Sequence, residues 1–302
     1  MTLKDYAALV EEKLEALLPE AEKKTPAIGE MPWLLQNAMR YSLMAGGKRL
    51  RPAMLLACAD MLGVPREEAM LPACALEMIH TYSLIHDDLP GMDNDTLRRG
   101  RPTNHVVFGE GQAILAGDGL LSLAMQLLIE NALAHPGNQA GETRAMNEII
   151  RGAGVLGMVG GQCMDLYCER ERVMDEDMLS YIHMNKTARM LTSPLLAAAA
   201  LAGYGEDSPQ WRALTAYGVN FGLLFQAVDD ILDVTGDEKT LGKSTGKDAA
   251  EGKLTYVTLY GLEGAREKAA ALARQAENSL DVFGEKAAFF RDLLAGMENR
   301  VS

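Results

Sequence analysis

Between its glycine and proline breaks, this chain places apolar residues three or four positions apart almost throughout. That period gives each segment one apolar stripe on a helix, and the stripe needs another helix to cover it. Ala, Leu, Met, Glu, Lys and Arg, all good helix formers, dominate these segments. No run of alternating β-branched residues marks a hairpin. The spacing predicts helices over 3–18, 31–44, 51–62, 67–88, 111–134, 144–168, 175–203, 208–234, 256–282 and 285–298. Breaks fall at Gly46-Gly47, Pro90-Gly91, Gly100-Arg101-Pro102, Gly203-Tyr204-Gly205 and Gly236-Asp237. Residues 134–143 are the most linker-like stretch and read as a surface loop. Long helices with short connections imply an all-α fold, a single domain over residues 1–302, with a site built between facing helices.

The 302 residues carry a net charge of −13 and a pI of about 4.9. Nucleic-acid binders usually show a basic footprint, so that class is disfavoured. An anionic substrate is repelled at long range, so any anion site must be built locally from positioned cations. The longest continuous apolar run, Leu195 to Ala202, is far short of the roughly 20 residues that span a bilayer. The N-terminal stretch mixes charges through its apolar positions, unlike a signal peptide. A cytoplasmic protein without a transmembrane segment is expected. Cys58, Cys74, Cys163 and Cys168 match no zinc pattern and read as reduced thiols.

Two aspartate clusters stand out against this background. The first is Asp87-Asp88-Leu89-Pro90-Gly91-Met92-Asp93, followed by Arg98-Arg99. The second is Asp229-Asp230-Ile231-Leu232-Asp233, followed by Lys243 and Lys247. Gathered carboxylates repel one another, and a hard divalent ion such as Mg2+ relieves that by binding one or two of them plus phosphate oxygens. Arg and Lys nearby suit the phosphate itself. Asp229 and Asp233 share a helix face, which Gln226 joins one turn earlier. In the first cluster the third aspartate is six positions on, so Pro90-Gly91 must loop the chain to bring Asp93 back. Gly46-Gly47-Lys48-Arg49-Leu50-Arg51 frees the backbone and sets Lys48 and Arg51 at a helix start, where anions are favoured.

These motifs occur in one order: Ser42 to Pro52, His80 to Pro90, Leu115 to Asp118, Gly160 to Asp165, Lys186-Thr187, and Phe225 to Val234. With them the chain resembles the trans-isoprenyl diphosphate synthases, specifically the bacterial-type farnesyl diphosphate synthases, nearly end to end. The resemblance implies an all-helical homodimer with a deep central cavity. It implies that Asp87, Asp88, Asp93, Asp229, Asp230 and Asp233 hold several Mg2+ ions on an allylic diphosphate. Arg98, Lys186, Thr187, Gln226 and Lys243 match residues that contact that diphosphate. Lys48, Arg51, His80 and Arg99 match the pocket for isopentenyl diphosphate.

The reaction so implied is ionisation of the allylic diphosphate, head-to-tail attack by the isopentenyl double bond, and loss of a proton, with Lys186, Thr187, Gln226, Asp87 and Asp229 as its catalytic residues. Tyr82, five positions before Asp87, with small Ser83 beside it, is expected to floor the cavity at the C15 product. A deeper pocket giving C20 is the alternative; a class I terpene cyclase and a silent regulatory subunit are remoter ones, because both acidic motifs are intact. Asn185 and Ala188-Arg189 depart from the family's usual His and Gly-Ala around Lys186-Thr187.

Overall fold

A computed structural model describes residues 1–235 and 253–298. Lys243 and Lys247, named above, lie outside the described residues. Two compact units are distinguished: residues 1–56 with 65–139, and residues 57–64 with 140–302.

The first unit holds α1 (Leu3–Leu17), α2 (Trp33–Leu43), the start of α3 (Leu50–Leu62), α4 (Arg66–Asp87), α5 (Asn104–Phe108) and α6 (Glu110–Ala134). Thr2 and Asp5 close a capping box at the start of α1. Glu67 and Glu68 occupy the first turn of α4, where the helix dipole favours negative charge. Every residue of α4 from Ala73 to Ile79 is buried, so this helix is the unit's core. It packs chiefly against α6, which also receives α2 and α5. Among the described residues, α6 alone is long and apolar enough to cross a membrane, with a mean hydropathy of 1.5 over its best window. The count of continuous apolar residues misses it, because Gly, Ser, Gln and Asp interrupt the run while its mean stays high. Its buried residues contribute to the packing on α4.

A short ribbon, absent from the sequence reading, follows the first aspartate cluster. Leu97–Arg98 pairs antiparallel with Arg101–Pro102. The two turn residues, Arg99 and Gly100, both have positive φ, 53° and 73°. That combination matches the right-handed twist of a two-residue hairpin. Strands of two residues leave no periodicity to detect, so only the Gly-Arg-Pro break was legible.

The second unit contains α7 (Gln139–Ala153), α8 (Met158–Glu171), α9 (Glu176–Ile182), α10 (Arg189–Leu201), α11 (Pro209–Thr235), α12 (Tyr256–Ser279) and α13 (Ala288–Glu298). The helix expected over 144–168 is two helices, parted around Gly154–Gly157, and the first begins inside the expected loop 134–143. The helix expected over 175–203 is interrupted by a π-helical turn, His183–Ala188. Such wide turns cluster at functional sites, and this one carries Lys186 and Thr187. It rests on α11, where Gly222 permits the contact: a Cβ there would lie 2.4 Å from the Ala188 Cα.

Two outcomes follow for stability. Gly222→Ala presses a methyl group against the Ala188 backbone and is expected to cost about 3 kcal/mol, read as a fall in Tm of several degrees. His183 is buried against the Tyr256 ring at 4.7 Å, and burial drives its pKa down to about 3. Below about pH 6.5 an unfolded chain gains a proton that native His183 refuses, so its contribution is complete above that pH and shrinks toward pH 3. At pH 5.5 the loss is about 1.4 kcal/mol. The Tm of His183→Gln should therefore change less between pH 7.5 and 5.5 than that of the parent.

Candidate active site

The first aspartate cluster straddles the C-terminal end of α4. The Asp93 amide donates to the Asp87 carbonyl at 2.8 Å, so the chain does loop back as the Pro90-Gly91 pair requires. Asn94, in the left-handed region at φ 52°, completes the turn. Asp88 is buried, and Arg98 engages both of its oxygens: Nε donates at 2.8 and 2.9 Å, and Nη2 lies 2.6 Å from Oδ1. Both are therefore held by each other, although the sequence gives Asp88 to metal and Arg98 to diphosphate. The hairpin turn separates the adjacent arginines. Arg98 is drawn to Asp88, while Arg99 donates to the Gly46 carbonyl.

Arg99 reaches that carbonyl because Gly47, at φ 129°, has no side chain: a Cβ there would lie 2.7 Å from the guanidinium carbon. Lys48 is exposed on the same loop. Arg49, with φ 49°, turns inward and is buried. Arg51 is half-buried, and its Nε has no hydrogen-bond partner in the protein. Burial lowers the Arg51 pKa to about 10, against the opposing pull of Glu77, so it stays charged at neutral pH. His80 is held well below the usual imidazole range, first by burial and then by the charges of Arg51, Arg99, Arg98 and Arg49. Both influences favour the neutral imidazole over the charged form in this cluster.

In the same unit, Tyr82 is buried with its ring edge-on to His86 at 5.8 Å. The His86 Nε2 meets the Ile114 carbonyl at 3.0 Å, over Gly117, where a Cβ would leave no room for the imidazole. Ser83 is half-buried, and its hydroxyl donates back to the His80 carbonyl at 2.9 Å.

The second aspartate cluster lies on the last turns of α11. Asp230 is buried with both oxygens engaged: Oδ1 accepts from the Gln226 amide and Oδ2 from the Tyr256 N–H, each at 2.8 Å. Asp229 is half-buried and Asp233 buried, one turn apart. The Thr187 hydroxyl donates to Gln226 Oε1 at 3.1 Å. The π-helical turn, α11 and the start of α12 are thus joined by one chain of hydrogen bonds, Thr187–Gln226–Asp230–Tyr256. Lys186 pairs with Asp165 of α8 at 2.6 Å. Asp165, Tyr256, Arg49 and Glu77, which contact or flank the expected residues, were not singled out in the sequence. Asp165 closes the Gly160 to Asp165 motif, and Glu77 is a charge within an otherwise apolar run, so both had a signal; the Tyr256 backbone contact had none.

Among the described residues, no three His, Cys, Asp or Glu side chains gather closely enough to hold a metal by themselves. Pairs of carboxylates completed by substrate oxygens are the usual mode for Mg2+, and the donor set here, all oxygen, fits that ion.

The polyprenyl synthetase family model matches residues 32–288. Geranylgeranyl pyrophosphate synthase 9 of Arabidopsis thaliana is 45% identical over 281 residues, covering 91% of this chain and 76% of its own length. A crystal structure of an FPP/GFPP synthase from Zymomonas mobilis superposes with a TM-score of 0.84 at 34% identity, covering 99% of this chain and 97% of that one. A geranyltransferase from Helicobacter pylori, crystallised with magnesium and isoprenyl diphosphate, gives a TM-score of 0.79 at 32% identity, covering 98% and 96%. With a family match over most of its length and these likenesses in sequence and fold, the chain belongs to the polyprenyl synthetase family and is a prenyltransferase.

Proposed function

We propose that this prenyltransferase condenses isopentenyl diphosphate head-to-tail with dimethylallyl or geranyl diphosphate to give farnesyl diphosphate, the C15 product. The carrying observation for C15 is Tyr82, a buried aromatic five residues before Asp87 whose ring packs edge-on to His86. An aromatic in that place shortens the room available to a growing hydrocarbon chain. On this reading Lys48, Arg51, Arg99 and the neutral His80 take the isopentenyl diphosphate. Asp87, Asp93, Asp229 and Asp233 take Mg2+, while Asp88 and Asp230 orient their neighbours through the bonds described above. Lys186 is steered by Asp165, and Lys186, Arg98 and Lys243 serve the allylic diphosphate.

When bound, Mg2+ offsets the negative charge that gathers on the leaving diphosphate. The allylic C–O bond breaks, the isopentenyl double bond forms the new C–C bond, and a proton passes from the condensed cation to the departed diphosphate. Thr187 has one hydroxyl proton and gives it to Gln226. Toward a cationic intermediate it can therefore offer only oxygen lone pairs, which is the polarity a carbocation needs.

A second reading, the C20 product, is favoured by the names of relatives such as the Arabidopsis thaliana enzyme. A product assay with isopentenyl diphosphate and either primer separates the two. The parent is expected to stop at C15, to lose activity with a chelator, and to recover it with Mg2+. Tyr82→Ala should shift most product to C20 or longer. A C20 product from the parent would support the second reading, and an unchanged C15 product in the variant would remove Tyr82 from the role.

The protein is further proposed to act as a homodimer. The support is two exposed apolar pairs near the ends of α6, Ile114 with Leu115 and Ile129 with Leu133, with exposures of 44 to 73%. Light scattering should give twice the 32.7 kDa chain mass, and Ile129→Glu with Leu133→Glu should return it to one.

A further inference from the structure

Beneath the Gly46–Arg51 turn lies an ion pair to which the proposed reaction assigns no part. Arg49 and Glu77 are each 2% exposed, and Arg49 Nη1 meets Glu77 Oε1 at 2.7 Å. The remaining nitrogens of Arg49 are also engaged: Nη2 donates to the Leu43 carbonyl at 2.7 Å, and Nε to Glu11 Oε1 at 3.3 Å. The guanidinium therefore ties together the end of α2, α1 and the middle of α4. Its backbone is left-handed, a conformation that costs a non-glycine residue roughly 1 kcal/mol or more. Something must hold it there, and the three-way clasp on its side chain does.

Placement gives the pair a consequence for substrate. Arg49 is flanked by Lys48 and lies two residues from Arg51, while Glu77 lies one helical turn before His80. Fixing Arg49 to α4 thus fixes where the loop's other cations stand relative to His80. Glu77 is also the carboxylate whose charge opposes the mutual repulsion of Arg51 and Arg99. A bare cluster of arginines would spread apart. With one buried anion beneath it, it keeps a net positive charge without spreading.

We propose that Arg49 and Glu77 are positioning residues for the isopentenyl diphosphate pocket, clamping the Gly46–Arg51 turn in its left-handed form so that Lys48 and Arg51 meet the diphosphate. The inference rests on the reading of that pocket given above. Removing one partner strands a buried charge and can unfold the chain, whereas replacing both with apolar residues of similar size is often tolerated. The test is therefore the double variant Arg49→Met/Glu77→Leu in the full chain, with Arg49→Lys beside it. Arg49→Lys keeps the charge on Glu77 but cannot reproduce all three contacts.

Two readouts are taken. The first is calorimetric binding of inorganic diphosphate without divalent metal, which needs no turnover. The second is KM for each substrate. The double variant should bind diphosphate at least tenfold more weakly. Its KM for isopentenyl diphosphate should rise at least tenfold, well beyond any change in KM for the allylic substrate. Arg49→Lys should show the same bias at a few-fold, and it decides the matter if the double variant does not fold. Diphosphate affinity equal to the parent's, or both KM values rising by one factor, would make the pair a plain core strut and overturn the inference. A parent whose diphosphate binding depends on this pair yet which transfers no prenyl group would instead remove the functional reading and leave the positioning role standing.

Discussion

A carboxylate taken out of water without a partner costs several kcal/mol, and this fold carries several of them into helices that are otherwise apolar. Glu77, Asp88 and Asp230 are each 2 to 3% exposed. Each is answered by a group from another element: Arg49 for Glu77, Arg98 for Asp88, and the Tyr256 amide for Asp230, which Gln226 on its own helix supports as well. None of these arrangements forms from a helix in isolation. The glycine turn, the Arg99-Gly100 hairpin and the start of α12 must be in place first, so the functional loops are part of the folding problem and not additions to a finished scaffold.

A common logic emerges in the two acidic motifs, each considered within its own unit. The second aspartate of each is buried with both oxygens engaged by protein groups. An oxygen occupied by an N–H donor is a poor metal ligand, and a carboxylate so held is well suited to orienting its neighbours. Asp88 fixes Arg98. Asp230 fixes the Gln226 amide, and that amide in turn fixes the direction of the Thr187 hydroxyl. On the proposed reading, the doubled aspartate thus combines two functions that one residue cannot: a ligand on the helix face, and an anchor beneath it.

The helical period was legible because long amphipathic segments repeat their signal many times over, and α4, α6 and α11 begin and end within about two residues of where the pattern puts them. Three features were not legible, each for a physical reason. The ribbon at Leu97–Pro102 has too few residues to show alternation. The π-helical turn at His183–Ala188 differs from its flanks by one extra residue per turn, which an apolar period averaged over a long helix absorbs. The break between α7 and α8 falls in a glycine-rich stretch whose apolar residues continue the helical spacing. The site residues were legible as types but not as partnerships. Arg98 and Asp88 are ten positions apart, and nothing in their spacing tells a ligand from a clasp.

On the proposed reading, the same partnerships reconcile an acidic chain with an anionic substrate. A net charge of −13 sets an unfavourable far field, but at physiological ionic strength that field fades over about 8 Å. Inside that distance the local arrangement governs. Arg51 keeps its charge, burial and the neighbouring arginines hold His80 toward the neutral imidazole, and Arg49 is matched by Glu77. The neutral imidazole matters here. Protonated, it would add a further charge to a cluster already under strain from its own repulsion, and burial makes that charge expensive. Neutral, it offers a single N–H donor to a phosphate oxygen and adds no repulsion. On the proposed reading, a site for a diphosphate is thus assembled from a few cations, one neutral donor and one buried counter-charge, with Arg49 and Arg99 held in place by protein contacts rather than by a ligand.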